Sequence, residues 1–171
     1  MAEPESGSRK QISSRGVPSS ESVYLPRHDS PELRTFQDKN EGLTRNTWSL
    51  EEVVNFIFSK KYQPKYHEIA LGFLELLTKK THMNGEQIAD YVKSNSVSKA
   101  TFYNRVLPRL KRVGMVKVER ETLVNIESKR KFRPMKISLS KTFGNYFMKI
   151  GDSWLAIVDD ARSRTEEQTT L

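Results

Sequence analysis

The side chains in this chain best suited to contact a polyanion lie between residues 98 and 133. Ser98, Lys99, Thr101, Tyr103, Asn104 and Arg105 form one cluster, and Lys129, Arg130, Lys131 and Arg133 form a second. Hydroxyls, carboxamides and cationic groups donate to phosphate oxygens. Arginine and asparagine can also present paired groups to guanine and adenine edges, respectively. Each residue also has a structural reading. Tyr103 either packs against a neighbouring helix or contacts a groove, and Arg105 either pairs with a carboxylate or meets the polyanion. Arg130 and Lys131, at a predicted turn, have little structural purpose.

The distribution of charge is more informative than its total. Residues 1–45 hold seven Lys/Arg against seven Asp/Glu, residues 46–97 six against six, and residues 137–171 four against five. Residues 98–136 hold twelve against three, so this stretch carries the whole excess behind the net charge of +8. A solvated charged face usually mixes its signs, as the other three segments do. A single-signed stretch is the footprint expected of a phosphate-binding surface.

Other chemistries have little material. The chain has no cysteine, which excludes disulfides, zinc–thiolate sites and thiol catalysis. His28, His67 and His82 are scattered outside any metal-ligand spacing, and His67, at a helix start, reads as structural. No phosphate-cradling glycine loop, nucleophile elbow or carboxylate pair is evident. The expectation is therefore a non-enzyme with no metal and no cofactor, and no effector pocket can be located. The first residues form no apolar signal segment, and the longest apolar runs fall far short of the roughly 20 residues needed to span a bilayer. A soluble, cytoplasmic protein with no membrane partner is expected.

The elements that must hold these residues follow from periodicity and punctuation. Residues 1–45 are rich in serine, proline and glycine and are expected to form a disordered tail. Its apolar islands, Val23-Tyr24-Leu25 and Leu33 with Phe36, could dock on a protein partner. A domain is expected over 46–164, followed by a disordered end at 165–171. Ser49 and Glu52 fit a capping box opening a first helix to about Lys61, with Leu50, Val53, Val54 and Ile57 on its apolar face. Pro64 punctuates. A core helix is expected over about 65–80, with Ile69, Leu71, Phe73, Leu74, Leu76 and Leu77 spread over more than one face. Asn84 and Gln87 signal a short helix, and Ser98 caps another that runs to Gly114. Residues 115–120 alternate with period two and read as a strand. A second strand reaches Met135, Ile137 and Leu139, in a register the sequence does not fix. A last helix is expected over about 140–164.

The stretch Asn84-Gly85-Glu86-Gln87-Ile88-Ala89-Asp90-Tyr91-Val92, then Val97-Ser98-Lys99-Ala100-Thr101-Phe102-Tyr103-Asn104-Arg105-Val106, and finally Leu110 and Val113-Gly114-Met115-Val116 resembles the winged helix-turn-helix of MarR-, ArsR- and PadR-type archaeal and bacterial transcriptional regulators. The resemblance covers about residues 66–140. It implies a mainly α fold with a β-hairpin wing (α+β), an N-terminal helix and a long C-terminal helix. It also implies that 84–93 supports a recognition helix at 98–112. Ser98, Lys99, Thr101, Tyr103, Asn104 and Arg105 would then face the major groove or its phosphates, with Phe102, Val106 and Leu110 inward. Lys129, Arg130, Lys131 and Arg133 would lie on the wing. Pro108 departs from the pattern: it removes a helical hydrogen bond and should kink the helix. The spacing of the core positions Val106 and Leu110 also looks one residue long.

In the last helix Phe143, Phe147, Ile150, Trp154, Ile157 and Ala161 are spaced 4, 3, 4, 3, 4. This is the seam of a helix–helix packing. It either covers the chain's own first helix or forms a homodimer, which is the favoured reading. Gly144 and Gly151 on an adjoining position would permit close approach. The leading expectation is thus a dimeric regulator that binds double-stranded DNA. The alternatives are a winged-helix protein-interaction module of a transcription complex and a DNA-binding factor in plasmid or chromosome maintenance. The lysine-rich surface disfavours the interaction module.

Overall fold

The computed structural model describes residues 23–25, 27–28, 36–120, 122–124 and 131–169. It is a mixed α and β fold, with helices packed on a small antiparallel sheet. Helix α1 (Leu50–Asn55) begins with the expected capping box: the Ser49 hydroxyl accepts from the Glu52 amide, and the Glu52 carboxylate accepts from the Ser49 amide at 2.6 Å. It stops well short of Lys61. The Asn55 carboxamide oxygen accepts from the Lys60 amide at 2.8 Å, closing a turn that drives Ile57 and Phe58 into the core. Their apolar spacing fits a helix, but the local hydrogen bonding makes it a loop. Helix α2 (Pro64–Lys80) starts on Pro64, whose missing N–H is lost at no cost in the first turn. It buries Ile69, Ala70, Phe73, Leu74 and Leu77, while Leu71 and Leu76 are half-buried.

A three-residue strand that the sequence did not signal, β1 (His82–Asn84), leads directly into α3 (Gly85–Ser94). Asn84 ends the strand and caps the helix, its carboxamide accepting from the Gln87 amide at 2.9 Å. The next helical stretch is continuous but uneven: α4 (Lys99–Thr101), a π-helical segment (Phe102–Val106) and α5 (Leu107–Arg112). Gly114, at φ 81°, ends it in a left-handed conformation. Strand β2 (Val116–Arg120) then pairs with β5 (Met135–Leu139), and β5 pairs in turn with β1, giving the sheet order β1-β5-β2. The register matches Ile137 with both Met83 and Val118, so the inward side chains of all three strands align. The hairpin extends as β3 (Leu123–Val124) and β4 (Lys131–Phe132), with Leu123 opposite Phe132.

Helix α6 (Thr142–Thr169) continues past 164, through most of the segment expected to be a disordered end. Chain before 46 also contributes to the fold. The Tyr24 amide donates to the Phe56 carbonyl at 2.7 Å, and its ring meets Tyr62 edge-on at 5.5 Å. One apolar island of the tail therefore docks on its own domain. Gln37 and Leu43 form an isolated bridge around a turn held by the Asp38 carboxylate. No helix among the described residues is long and apolar enough to cross a membrane.

His67 is structural, as its place at a helix start suggested. It is 3% exposed on α2, and its Nε2 has no hydrogen-bond partner. Burial holds the imidazole below its ordinary value, against the opposing pull of a hydrogen bond to the Glu51 backbone and of the Glu51 charge. With the folded value below the unfolded one, the unfolded chain takes up the proton first as pH falls through about 6.5. Stability should therefore decline below that range. The urea midpoint of the parent should drop relative to that of His67→Gln between about pH 7.5 and about pH 5.5. A constant difference across that range would show that His67 does not titrate with unfolding.

Candidate nucleic-acid interface

The orientation of the basic helix is set from its buried side. Phe102 is fully buried, with its ring 5.0 Å from Phe73 and 6.0 Å from Tyr91. The Tyr91 hydroxyl donates to the Ile69 carbonyl at 2.9 Å, tying α3 to α2 beneath it. The turn between α3 and α4 passes through Ser96 at φ 52° and is closed by the Val97 amide donating to the Val92 carbonyl at 2.9 Å. Ser98 then caps the helix, its hydroxyl accepting from the Thr101 amide at 3.5 Å.

Ser98, Lys99, Asn104 and Arg105 are exposed, and Lys111 and Arg112 are exposed further along the same helix. Thr101 and Tyr103 are half-buried. The Tyr103 ring stands edge-on to Phe102 at 5.1 Å and packs against the core, so the packing reading accounts for much of this residue. Arg105 forms no ion pair with any described residue, which removes the carboxylate-pairing alternative among them.

Pro108 is accommodated differently from a simple kink. The Leu107 amide donates to the Phe102 carbonyl, one residue wider than an α-helical bond, and Pro108 follows in the first turn of α5. The additional residue is therefore absorbed between Phe102 and Val106, upstream of the Val106–Leu110 interval where its effect was expected. Both of those residues remain fully buried. The same arrangement turns Arg109 inward. Arg109 is 6% exposed, with its guanidinium carbon 5.0 Å from the Phe58 ring centre and its Nη1 donating to the Gln63 carboxamide at 3.4 Å. Burial lowers its pKa. Nothing in the local sequence distinguishes Arg109 from its exposed basic neighbours, because its partners come from the loop after α1.

On the hairpin, Lys129 and Arg130 lie outside the described residues. Lys131 is paired through its backbone with Val124 in the distal ladder. Arg133 is exposed, and its Nε donates to the Thr122 hydroxyl at 3.1 Å across the hairpin. Nearer the core, Glu119 sits beside Lys117, which hydrogen-bonds to it and holds its carboxyl below the usual range; Lys136 adds a weaker pull in the same direction. Some of the hairpin's positive charge is thus offset at its base.

The seam residues of α6 do not cover α1. From Gly144 to Arg164 every residue except Val158 is exposed. Phe143 alone of the seam packs on the core, while Phe147, Ile150, Trp154, Ile157 and Ala161 face outward, Trp154 at 64% exposure. Tyr146 widens this apolar surface beyond the expected seam, and Met148 and Leu155 are exposed on another side of the helix, more than about 100° round from it. Met148 and Leu155 are seven residues apart, a spacing that could have revealed them. Farther along, Arg162 pairs with Glu41 at 3.0 Å.

Among the described residues, no three His, Asp or Glu side chains gather where they could hold a metal ion. No protein-family model matches the chain, and no curated protein matches it.

Since Lys99, Asn104 and Arg105 are exposed, replacing each with alanine should change the unfolding free energy by no more than about 0.5 kcal/mol. Phe102→Ala, by contrast, should cost about 3–5 kcal/mol. Urea denaturation of the four variants checks this. A large loss from any of the three exposed variants would give that residue a structural role.

Proposed function

We propose that the chain is a winged-helix protein that binds double-stranded DNA as a homodimer and regulates transcription by occupying its site. In this reading the helix Lys99–Arg112 enters the major groove, with Ser98, Lys99, Asn104 and Arg105 toward bases and phosphates. The hairpin lies along the backbone as a wing. The observation that carries the proposal is the confinement of the whole charge excess to residues 98–136, a helix and a hairpin adjacent in the chain and in the fold. The element order supports it: helix, short strand, helix, turn, helix and hairpin, with the short strand closing the sheet beside β5. A helix in the major groove flanked by a hairpin is a recurring way of docking such a unit on B-DNA.

The homodimer part of the proposal rests on α6. A contiguous exposed apolar surface of this kind marks an interaction site, and the seam from Phe143 to Ala161 runs for roughly 27 Å at the α-helical rise. A second copy is the occupant whose surface matches by symmetry, because a two-fold interface uses the same patch twice. Two paired protomers would present their basic helices about one DNA turn, roughly 34 Å, apart on a palindromic site.

Binding of the purified protein to genomic-promoter and random duplexes should fall steeply with salt, with a log–log slope near −0.9 per neutralised phosphate. A preference for promoter DNA would separate regulation from chromosome maintenance, and no binding at low salt would overturn the DNA reading. The parent should run at twice its chain mass by light scattering. Trp154→Asp should run as a monomer and lose about a hundredfold in affinity for a two-half-site duplex. A monomeric parent would overturn the pairing.

A further inference from the structure

We propose that α6 pairs with a second copy of itself in the antiparallel sense, with the two-fold axis crossing the helix beside Asp152. The inference rests on the homodimer reading above and deepens it, since a shared apolar face admits two orientations. The seam intervals from Phe143 to Ala161, 4, 3, 4, 3 and 4, read the same in both directions. An antiparallel copy centred at Asp152 therefore matches all six positions. Phe143 meets the partner's Ala161, Phe147 meets the partner's Ile157, and Ile150 meets the partner's Trp154. A parallel copy also matches the seam, but sets each residue opposite itself.

Side-chain volume separates the two. In a parallel pair Trp154 faces Trp154 and Ala161 faces Ala161, so one layer is overfilled and another leaves a gap, and both cost stability. In the antiparallel pair a larger residue meets a smaller one in the end and middle layers. Phe143, which already packs on its own core, meets the smallest residue of the seam. Knobs-into-holes packing seats the exposed Trp154 in the hole formed by Phe147, Ile150, Gly151 and Trp154 of the partner. Gly151 supplies the room for the indole, because no neighbouring atom lies within 4 Å of where a Cβ would stand. On the other flank of the seam, a concavity of about 340 Å³ runs along Tyr146, Lys149, Ile150, Ser153, Trp154 and Ile157. The partner's Ile150 seats in it, whereas a parallel copy would bring a second indole against the one already lining it.

Charge favours the same sense. Lys149 and Asp160 both lie on the Ser153 flank of the helix. Antiparallel copies bring Lys149 of one chain within roughly 4.5 Å of the partner's Asp160 along the axis, and symmetry makes this pair twice. In a parallel pair the two groups stand eleven residues apart, roughly 16 Å along the axis. The orientation also decides where the basic helices lie. The Phe143 amide donates to the Gly114 carbonyl at 3.0 Å, so each α6 starts against the end of a basic helix. Antiparallel pairing holds the two Phe143 positions roughly 27 Å apart along the axis, while parallel pairing sets them side by side at about 8–10 Å. Only the first approaches the spacing of one DNA turn, roughly 34 Å.

The chain has no cysteine, so Ser163→Cys, at an exposed position, takes one nitroxide label per chain. Double electron–electron resonance on the labelled full-length protein should give a distance of at least about 33 Å, the axial separation of the labels in the antiparallel pair. A parallel pair holds them within about two helix diameters, roughly 20 Å. Lys149→Glu and Asp160→Lys should each weaken the dimer about fivefold in sedimentation equilibrium, and the two together should restore it to within about twofold of the parent. A dimer with the short label distance, or a double variant that is not rescued, overturns the antiparallel arrangement and leaves the homodimer reading in place. A parent that is monomeric overturns both.

Discussion

Phe102 lies fully buried between Phe73 of α2 and Tyr91 of α3, and its position decides which side of the basic helix meets the core. Aromatic edge-to-face contacts of this kind hold a ring in position as well as burying its area. The Tyr91 hydroxyl strengthens the arrangement by donating to the Ile69 carbonyl, so three helices are joined around one ring. With Phe102 pointing inward, Lys99, Asn104 and Arg105 point outward, and the charge of the segment becomes a surface. Rotating the helix by one residue would bury cations and expose the ring, which the high cost of burying charge forbids.

The π-helical segment modifies this scheme at one point. A uniform α-helix would have to accommodate Pro108 in its interior, where the residue lacks an N–H and its ring clashes with the preceding turn. Widening the turn over Phe102–Val106 lets α5 restart with the proline in its first turn. Val106 at its end and Leu107 and Leu110 beyond it reach the core, and Arg109 meets Phe58. Single π turns are frequent at functional sites. Here the turn divides the basic helix into an exposed N-terminal half and a half whose central arginine is held by another element.

What could be read from the sequence was what adjacent residues determine by themselves. Ser49 with Glu52 and Asn84 with Gln87 form their capping boxes as their spacing implies, because each box is completed within four residues. The alternation of Val116–Arg120 and the stop at Gly114 are equally local. What was not legible depends on distant partners. The helix expected up to Lys61 ends at Asn55 because a side chain closes a turn there, and helical spacing of Val54, Ile57 and Phe58 is also satisfied by a loop folded into the core. Strand β1 is too short to show alternation and exists because β5 offers it an edge. For the candidate site, the exposed cations of 98–105 were legible from charge. The burial of Arg109, which needs Phe58 and Gln63, was not, and neither was the docking of Tyr24 on Tyr62.

The apolar helix and the basic helix are not independent, since Gly114 joins them. At φ 81° its backbone takes a conformation other residues rarely adopt, and a Cβ there would come within 2.9 Å of the Thr142 side chain and 3.1 Å of the Phe143 amide nitrogen. The Phe143 amide donates to the Gly114 carbonyl at 3.0 Å, and the Ser140 amide to the Met115 carbonyl at 2.9 Å. The end of the basic helix and the start of α6 are therefore held against each other by backbone hydrogen bonds around a residue with no room for a side chain. Whatever packs on Phe147, Ile150 and Trp154 must act on the basic helix through this short junction. A partner that fixes the direction of α6 also fixes the direction of the basic helix, so pairing along α6 constrains the spacing of two basic surfaces without any contact between those surfaces themselves.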